Sequence, residues 1–456
     1  MSETEPPASD LAVTNCRVLQ TSATSATSAT GAMTVSAPMT IEIAGGMITE
    51  IHDRPTTTAA TELDAAGRLA MPGLVNTHCH AAMTLFRGAA EDVSAESWFN
   101  DYVWPFEVNL EPHDVYLGTL LACAEMLLAG VTAFADMYFF ADEAARAVQQ
   151  SGIRAIIGPA FFSSQGKEAR DGAFGLAETW NGAADGRITT AIAPHAPYTC
   201  TDEDLSAAAD AARRLGVRVH IHAAETVEQT ESSLASRGIS PIEVLADTGV
   251  LDAGVIIGHG CGIRDADLQL LAPHAGRVGV AHCPKTYLKH AMHVLTPIAG
   301  LRDIGAAVGV GTDGPASCNS LDMFENTRLM ALTQKQIKRD ATWMNTGQAL
   351  SILTEGGARV VGLGDECGRV EAGRRADLAI VDLSGAHNQP LHDELAALVY
   401  SARSSDVYAT VVDGRIAALD GRVPGVDIDA LIDEIKQRAP KLVDVSHGRR
   451  IQTYDP

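Results

Sequence analysis

From about residue 68 to residue 365, short apolar runs alternate with longer Ala-, Leu- and Glu-rich stretches, the rhythm of repeated βα units. Eight runs read as strands: LAMPGLVNTH, VTAFADMY, RAIIGPAFF, ITTAIAPH, VRVHIHAA, GVIIGHG, RVGVAHC and AAVGVGTD. The segments between them, such as VYLGTLLACAEMLLAG and DLSAAADAARRLG, have the pattern of helices. The pattern predicts an α/β fold built on a (β/α)8 TIM barrel. Nearly every run ends in His, Asp or another polar residue, which is where such a barrel carries its chemistry.

Strand-like segments also flank this region. Val13 to Asp64 precede it, and ADLAIVDL and YATVVDGRI follow it, each with Gly and Asp turn signals. They are expected to pair into a small β-sandwich domain made from both chain ends, residues 8–67 plus 366–424, around a barrel domain of residues 68–365. Residues 425–456 read as one helix, DIDALIDEIKQRA, and a polar tail with no legible role. The repeat TSATSATSAT, Thr21 to Thr30, has little core-forming capacity and is expected as an exposed loop between two early strands.

Composition narrows the function. A chain of 456 residues, 46% hydrophobic, can bury a large core. The formal net charge of −23 argues against a nucleic-acid polymer or an anionic membrane as partner, since an acidic surface repels phosphates. No apolar run approaches the roughly 18 residues of a membrane span, and the start MSETEPPASD lacks the basic and apolar parts of a signal peptide. A cytoplasmic protein is expected. The eight cysteines are scattered without a CxxC pair, the pattern of free structural thiols.

The chemistry concentrates at the strand ends. His78-Cys79-His80 closes the first run, and residues two apart on an extended strand point to one face, so both imidazoles can reach one metal. His220 and His222 end the fifth run on one face as well, with Glu225 three residues beyond His222; on geometry alone either histidine is a candidate ligand. Asp313, in Gly311-Thr312-Asp313-Gly314, ends the last run, where a carboxylate can ligate a metal and accept a proton from water. His259 ends the run between them. Read singly, each has a plain alternative: a polar strand end, a turn Asp before Gly, a structural histidine. Four strand ends of one barrel converging on such residues point to a catalytic metal site. Nitrogen and carboxylate donors suit one divalent metal, with zinc expected and Fe2+ the alternative. ITTAIAPHAPYTC holds no Lys that could be carboxylated to bridge two metals, which favours one.

The chain resembles the amidohydrolases of the triazine hydrolase and 5-methylthioadenosine/S-adenosylhomocysteine deaminase branch. The resemblance is carried by MPGLVNTHCHAAMTLFRG, WPFE, MLLAGVTAFADMYFF, APHAPYTC, HIHAAET, GTDGPASCNSLDMFENTR and GRRADLAIVDL, in that order along the chain. It implies metal ligation by His78, His80, His222 and Asp313. It further implies that Glu225 protonates the ring nitrogen beside the attacked carbon, that Asp313 takes the proton from the attacking water, and that His259 orients that water. Glu107 matches a carboxylate that binds ribose hydroxyls, and His195 and Arg170 match substrate contacts. A surface salt-bridged Glu107 and a core His195 are the plainer readings. Trp98 and Phe99 either wall the base or pack beneath a loop.

One segment departs from the pattern. His282-Cys283-Pro284-Lys285-Thr286-Tyr287 carries Lys, Thr and Tyr where relatives have an Asn or a Ser-Asn pair, which leaves the contacts to the base edge open. His282 reads as structural, and His290 and His293 as loop residues at the pocket mouth or in solvent. The resemblance implies a hydrolytic deaminase of an adenine nucleoside, acting on a small molecule as a homo-oligomer. The departure keeps alive a deaminase or chlorohydrolase of a free purine base, pterin or s-triazine. A catalytically dead scaffold would be expected to lack a metal ligand, and none is missing.

Overall fold

The computed structural model describes residues 9–21, 33–54 and 57–454. Most of the Thr21 to Thr30 repeat lies outside them. Eight parallel strands form the barrel in consecutive order: β7 (Leu74–Cys79), β8 (Val131–Tyr138), β9 (Arg154–Phe161), β10 (Ile188–Pro194), β11 (Arg218–Ala223), β12 (Val255–His259), β13 (Val278–His282) and β14 (Ala307–Val310). The seam between the first and last is closed just beyond β14. There the Thr312 and Asp313 amides donate to the His78 carbonyl at 3.2 and 3.0 Å. The Asn76 side chain spans the same seam, donating to Thr312 Oγ1 at 2.8 Å and accepting the Thr312 amide at 3.0 Å. The closure therefore places His78 beside Asp313.

The helices around the barrel follow from local sequence. In Asp202–Leu215, Thr201 caps the first turn by accepting from the Asp204 amide. Asp202, Glu203 and Asp204 face the positive end of the helix dipole, Arg213 and Arg214 the negative end, and Gly216 ends it at a φ of 69°.

Among the described residues nine further strands make a second sheet from both chain ends: β1 (Leu11–Thr21), β2 (Met33–Val35), β3 (Met39–Ala44), β4 (Met47–His52), β5 (Thr61–Asp64) and β6 (Leu69–Pro72) from the start, and β15 (Leu378–Val381), β16 (Val407–Val412) and β17 (Arg415–Leu419) from the end. β1 carries the fold: its first residues pair with β3 and β5, its middle with β6, and its last with β2, after a register shift between Val13 and Cys16. The sheet wraps an apolar core of its own, with Val13, Ile41 and Ile43 on one side of that shift and Leu378, Ile380 and Val411 on the other. A buried ion pair ties the sheet to the barrel: Arg154 of β9 grips Asp377, just before β15, at 2.9 and 3.2 Å.

One predicted strand is divided. In LAMPGLVNTH, residues 69–72 pair antiparallel with β15, and only from Leu74 does the chain enter the barrel. Gly73 marks the change. Its backbone packs so closely on Thr132 that a methyl group there would meet the Thr132 side chain at 2.1 Å.

The chain ends in the helix Ile428–Leu442, which lies along the helix Pro112–Leu128 through Lys441 to Glu111 at 2.6 Å and His113 to Glu434 at 2.8 Å. The tail then runs back to the barrel mouth, where the Ile451 amide donates to the Trp104 carbonyl at 3.3 Å. No helix among the described residues is long and apolar enough to cross a membrane.

Candidate active site

Four strand ends bring their side chains to one point. His222 Nε2 lies 3.2 Å from His78 Nε2 and 3.3 Å from His80 Nε2. Asp313 Oδ1 lies 3.5 Å from His78 Nε2 and 3.2 Å from His80 Nε2. The protons on these rings are assigned by their other nitrogens. His80 Nδ1 meets the Met137 carbonyl at 2.7 Å and His222 Nδ1 the His195 carbonyl at 3.0 Å. A carbonyl only accepts, so each Nδ1 carries a hydrogen, and in the neutral rings each Nε2 presents a lone pair. Facing lone pairs at this distance repel unless a cation lies among them. The spacing matches the edge, about 3.3 Å, of a tetrahedron with bonds of about 2.0 Å, as in zinc–imidazole sites.

Electrostatics point the same way. Burial pushes the His78 imidazole down to about 3 and His222 well below its ordinary value, so both rest in the neutral, ligating form. Burial also opposes charge on His80, yet Asp313 and the Met137 carbonyl bring it up to about 9. For Asp313, burial favours the neutral acid, but His78 and His80 hold the carboxyl well below its usual range. The His80 proton and a divalent metal are alternative partners for the Asp313 carboxylate, and the donor set fits a divalent metal. Both candidate donor groups among the described residues, His78/His80/Asp313 and His78/His222/His259, share His78.

Close packing makes room for the imidazoles. Gly258 of β12 backs onto them: a methyl there would stand 3.1 Å from His222 Cδ2 and from His78 Cε1. Two further residues leave the ordinary backbone regions to aim inward, His259 at a φ of 72° and Asp313 at 65°. Such conformations cost roughly 1–3 kcal/mol each in non-glycine residues and concentrate at functional sites. His259 stacks on His222 with ring centres 5.5 Å apart, and its Nε2 lies 4.0 Å from Glu225 Oε1. Asp313 Oδ2 is held by Ser317 at 2.6 Å and Thr286 at 3.2 Å, leaving Oδ1 to the histidines. His220, the other histidine of β11, lies behind the centre with its Nε2 2.8 Å from His78 Nδ1.

A cavity opens over this centre. His80, His222, His259, Asp313 and Glu225 line its floor, and Trp98, Phe99, Trp104, Phe162 and Tyr454 are among its walls. Glu107, at the end of the short helix Trp104–Glu107, lines it too and is buried, which pushes its carboxyl up to about 7. His80 is a polar neighbour of that carboxyl. The Tyr138 hydroxyl is near it without meeting hydrogen-bond geometry. His195 stacks on Phe162 with ring centres 4.5 Å apart, and burial lowers it to about 3. The Thr199 hydroxyl donates to the Ala196 carbonyl at 3.2 Å, so it accepts from His195 Nδ1 at 3.0 Å and leaves His195 Nε2 as an acceptor.

The structure thus gathers His78, His80, His222, Asp313, His259, Glu225, Glu107 and His195 at one site. Arg170 is corrected: it does not line the cavity. Its guanidinium, on the helix Lys167–Trp180, is held by Asp204 at 2.7 Å and Asp171 at 2.9 Å. Trp98 and Phe99 do line the cavity. In the departing segment, Lys285 pairs with Glu325 at 2.7 Å and Ser320 at 3.0 Å outside the cavity, Tyr287 is buried behind it, and Thr286 alone lines it. His282 is buried against Thr296, His290 lines the mouth, and His293 is exposed. All eight cysteines are free and buried. Sequence reasoning does not single out Phe162, Gln229, Ser317 or Tyr454. Only Gln229 carries a local signal, four residues after Glu225 in the first turn of a helix capped by Thr226.

Comparison with known proteins agrees with this architecture. Residues 69–417 match the amidohydrolase family. A 5-methylthioadenosine/S-adenosylhomocysteine deaminase of Pelotomaculum thermopropionicum is 40% identical over 409 residues, spanning 88% of this chain and 94% of that protein. A 5'-deoxyadenosine deaminase of Methanosarcina mazei is 40% identical over 408 residues, 89% of this chain and 93% of the relative. Among solved structures, a zinc-bound adenosine deaminase from Xanthomonas campestris superposes with a TM-score of 0.88 at 32% identity, covering 96% of this chain and 99% of that one. By its matched segment and by these relatives, the chain belongs to the amidohydrolase family.

Proposed function

We propose that the chain is a metal-dependent hydrolytic deaminase of adenine nucleosides with small or thioether 5′ substituents, releasing ammonia and the corresponding inosine analogue. The observation that carries this reading is the buried carboxyl of Glu107 in the same cavity as Glu225 and the His78/His80/His222/Asp313 cluster. A buried carboxyl in this cavity has two donors to accept from in a ribose diol, which a free base lacks.

The cluster would hold one divalent metal, zinc by its nitrogen and oxygen donors, with Fe2+ second. Bound there, the metal supplies the Lewis acidity that makes water a nucleophile near neutral pH. Asp313, its Oδ2 fixed by Ser317 and Thr286, accepts the proton of the attacking water and returns it to the departing amine. Glu225 protonates the ring nitrogen as the attacked carbon becomes tetrahedral. His259 orients the water, its ring set by stacking on His222. His195 offers an acceptor to the base, and Trp104 and Phe162 exclude solvent around it. The activities for which the relatives are named, deamination of 5-methylthioadenosine, S-adenosylhomocysteine, 5'-deoxyadenosine and adenosine, support this substrate class. By resemblance to its family the enzyme is proposed to be a homo-oligomer, to be checked by light scattering of purified protein.

The test is ammonia release from adenosine, 5′-methylthioadenosine, S-adenosylhomocysteine, adenine, guanine, a pterin and an aminotriazine, with Glu225→Gln as control. Turnover confined to adenine nucleosides and absent in the control is the expected result. Turnover of a free base, pterin or triazine with inert nucleosides overturns the reading.

A further inference from the structure

Glu225 is oriented by a residue whose side chain is also anchored from the far end of the chain. Gln229 sits in the first turn of the helix Val227–Arg237, where its amide donates to the Thr226 cap at 3.1 Å, and its side chain is buried. Gln229 Oε1 accepts the Glu225 backbone amide at 3.1 Å, while Gln229 Nε2 donates to Glu225 Oε2 at 3.1 Å and to Tyr454 Oη at 3.4 Å. A backbone N–H can only donate, so the oxygen of the Gln229 amide must face it and the nitrogen must face the carboxylate. Glu225 Oε2, with an N–H aimed at it, is then the oxygen that does not carry the acidic proton. The proton belongs on Oε1, which lies toward His259.

Tyr454 lies 225 residues further along the chain than Gln229, yet it is built into the site. Its amide donates to Asn100 Oδ1 at 2.9 Å and its carbonyl accepts from Asn100 Nδ2 at 3.1 Å. Its ring stacks on Phe99, centres 4.6 Å apart and planes 11° from parallel, and meets Tyr198 edge-on at 5.9 Å. Ring and hydroxyl both bear on the cavity: the ring is one of its walls, and the hydroxyl takes the second N–H of the Gln229 amide.

We propose that Tyr454 is a positioning residue for Glu225, acting through Gln229: it anchors the amide beside Glu225 in the orientation that the Glu225 N–H dictates, which leaves the Glu225 proton on Oε1. The inference rests on the reading of Glu225 as proton donor given above. Tyr454→Phe keeps the stacked ring and removes only the hydroxyl, so it isolates the link. In the full metal-loaded chain with 5′-methylthioadenosine, Tyr454→Phe is expected to lower kcat about three- to tenfold, the range of one modest hydrogen bond, with KM within about twofold. Gln229→Leu is expected to lower kcat more, and the double variant to match Gln229→Leu alone, because the two residues act in one chain of contacts.

A second readout needs no turnover. Backbone hydrogen exchange at Glu225, whose amide is held by Gln229 Oε1, is expected to speed up about threefold or more in Tyr454→Phe, while the amides of Ile451 and Tyr454 keep their protection. Unchanged kcat in Tyr454→Phe, losses that multiply in the double variant, or unchanged exchange at Glu225 overturns the proposal. If the wild-type chain deaminates no adenine nucleoside, the functional reading fails, and the exchange experiment alone decides the Tyr454–Gln229–Glu225 linkage.

Discussion

Replacing Gly258 by alanine tests the metal centre without touching a ligand. The new methyl would stand 3.1 Å from His222 Cδ2, 3.1 Å from His78 Cε1 and 3.3 Å from His78 Nε2. Ordinary carbon contacts lie at about 3.5–4.0 Å, so both rings must retreat by several tenths of an ångström. Metal sites tolerate displacements of only about 0.2 Å. The backbone itself does not resist the change, because Gly258 is not in the left-handed region, and alanine reduces the freedom of the unfolded chain by roughly 0.4–1 kcal/mol. That gain partly offsets the crowding. Stability of the metal-free protein should therefore fall by little, while zinc affinity falls about 10- to 100-fold, the usual cost of disturbing the support of a metal ligand. Competition with a chromophoric chelator measures the affinity, and thermal unfolding in chelator measures the fold. Wild-type affinity in Gly258→Ala would refute the assignment of His78 and His222 as joint ligands.

Other outcomes follow from the same geometry. Glu107→Ala should raise KM for ribosides by about 100-fold or more, from two lost hydrogen bonds to a carboxylate at about 1.5 kcal/mol or more each, and leave any residual turnover of free adenine unchanged; steady-state kinetics on both substrates decides it. Removing the metal with dipicolinate should abolish turnover and lower Tm, and graded zinc should restore both, with about 4 kcal/mol of stabilisation at a thousandfold excess over Kd. All eight thiols should resist an aromatic disulfide reagent in the native protein and react on unfolding. Burial shields them and pushes Cys16, Cys123 and Cys261 up to about 12, away from the reactive thiolate; a fast-reacting thiol in native protein would contradict this.

The parts of the molecule that were legible in the sequence are those encoded by short-range pattern. Strand-end histidines two apart, an Asp after the last apolar run and eight alternating βα units are local facts, and the barrel turns them into one site because all its strands point the same way. The sheet from both chain ends was legible as strands, but the entry into the barrel was not. Leu69 to Pro72 and Leu74 to Cys79 are equally apolar, and only the pairing of β6 with β15, some three hundred residues away, separates them. Arg170 fails for the same reason: Asp204, which claims its guanidinium, is brought near only by the packing of two helices. Lys285 likewise turns to Glu325 outside the cavity, so within the departing segment Thr286 alone lines the cavity, while the Tyr287 hydroxyl donates to the His259 carbonyl at 3.4 Å behind it. Tyr454 is the clearest omission. A tyrosine in a polar tail has no pattern of its own, and its place beside Gln229 depends on the last helix lying against Pro112–Leu128 and the tail running back along residues 100–109.

The most direct test of the account is an anomalous difference map, recorded at the zinc edge, from a crystal of zinc-loaded protein with an inosine-type product bound. The account predicts a single peak about 2.0–2.2 Å from His78 Nε2, His80 Nε2, His222 Nε2 and Asp313 Oδ1, with the purine between that peak and Glu225 and the ribose hydroxyls on Glu107. Two peaks, a peak held by other residues, or a ribose turned away from Glu107 would contradict it.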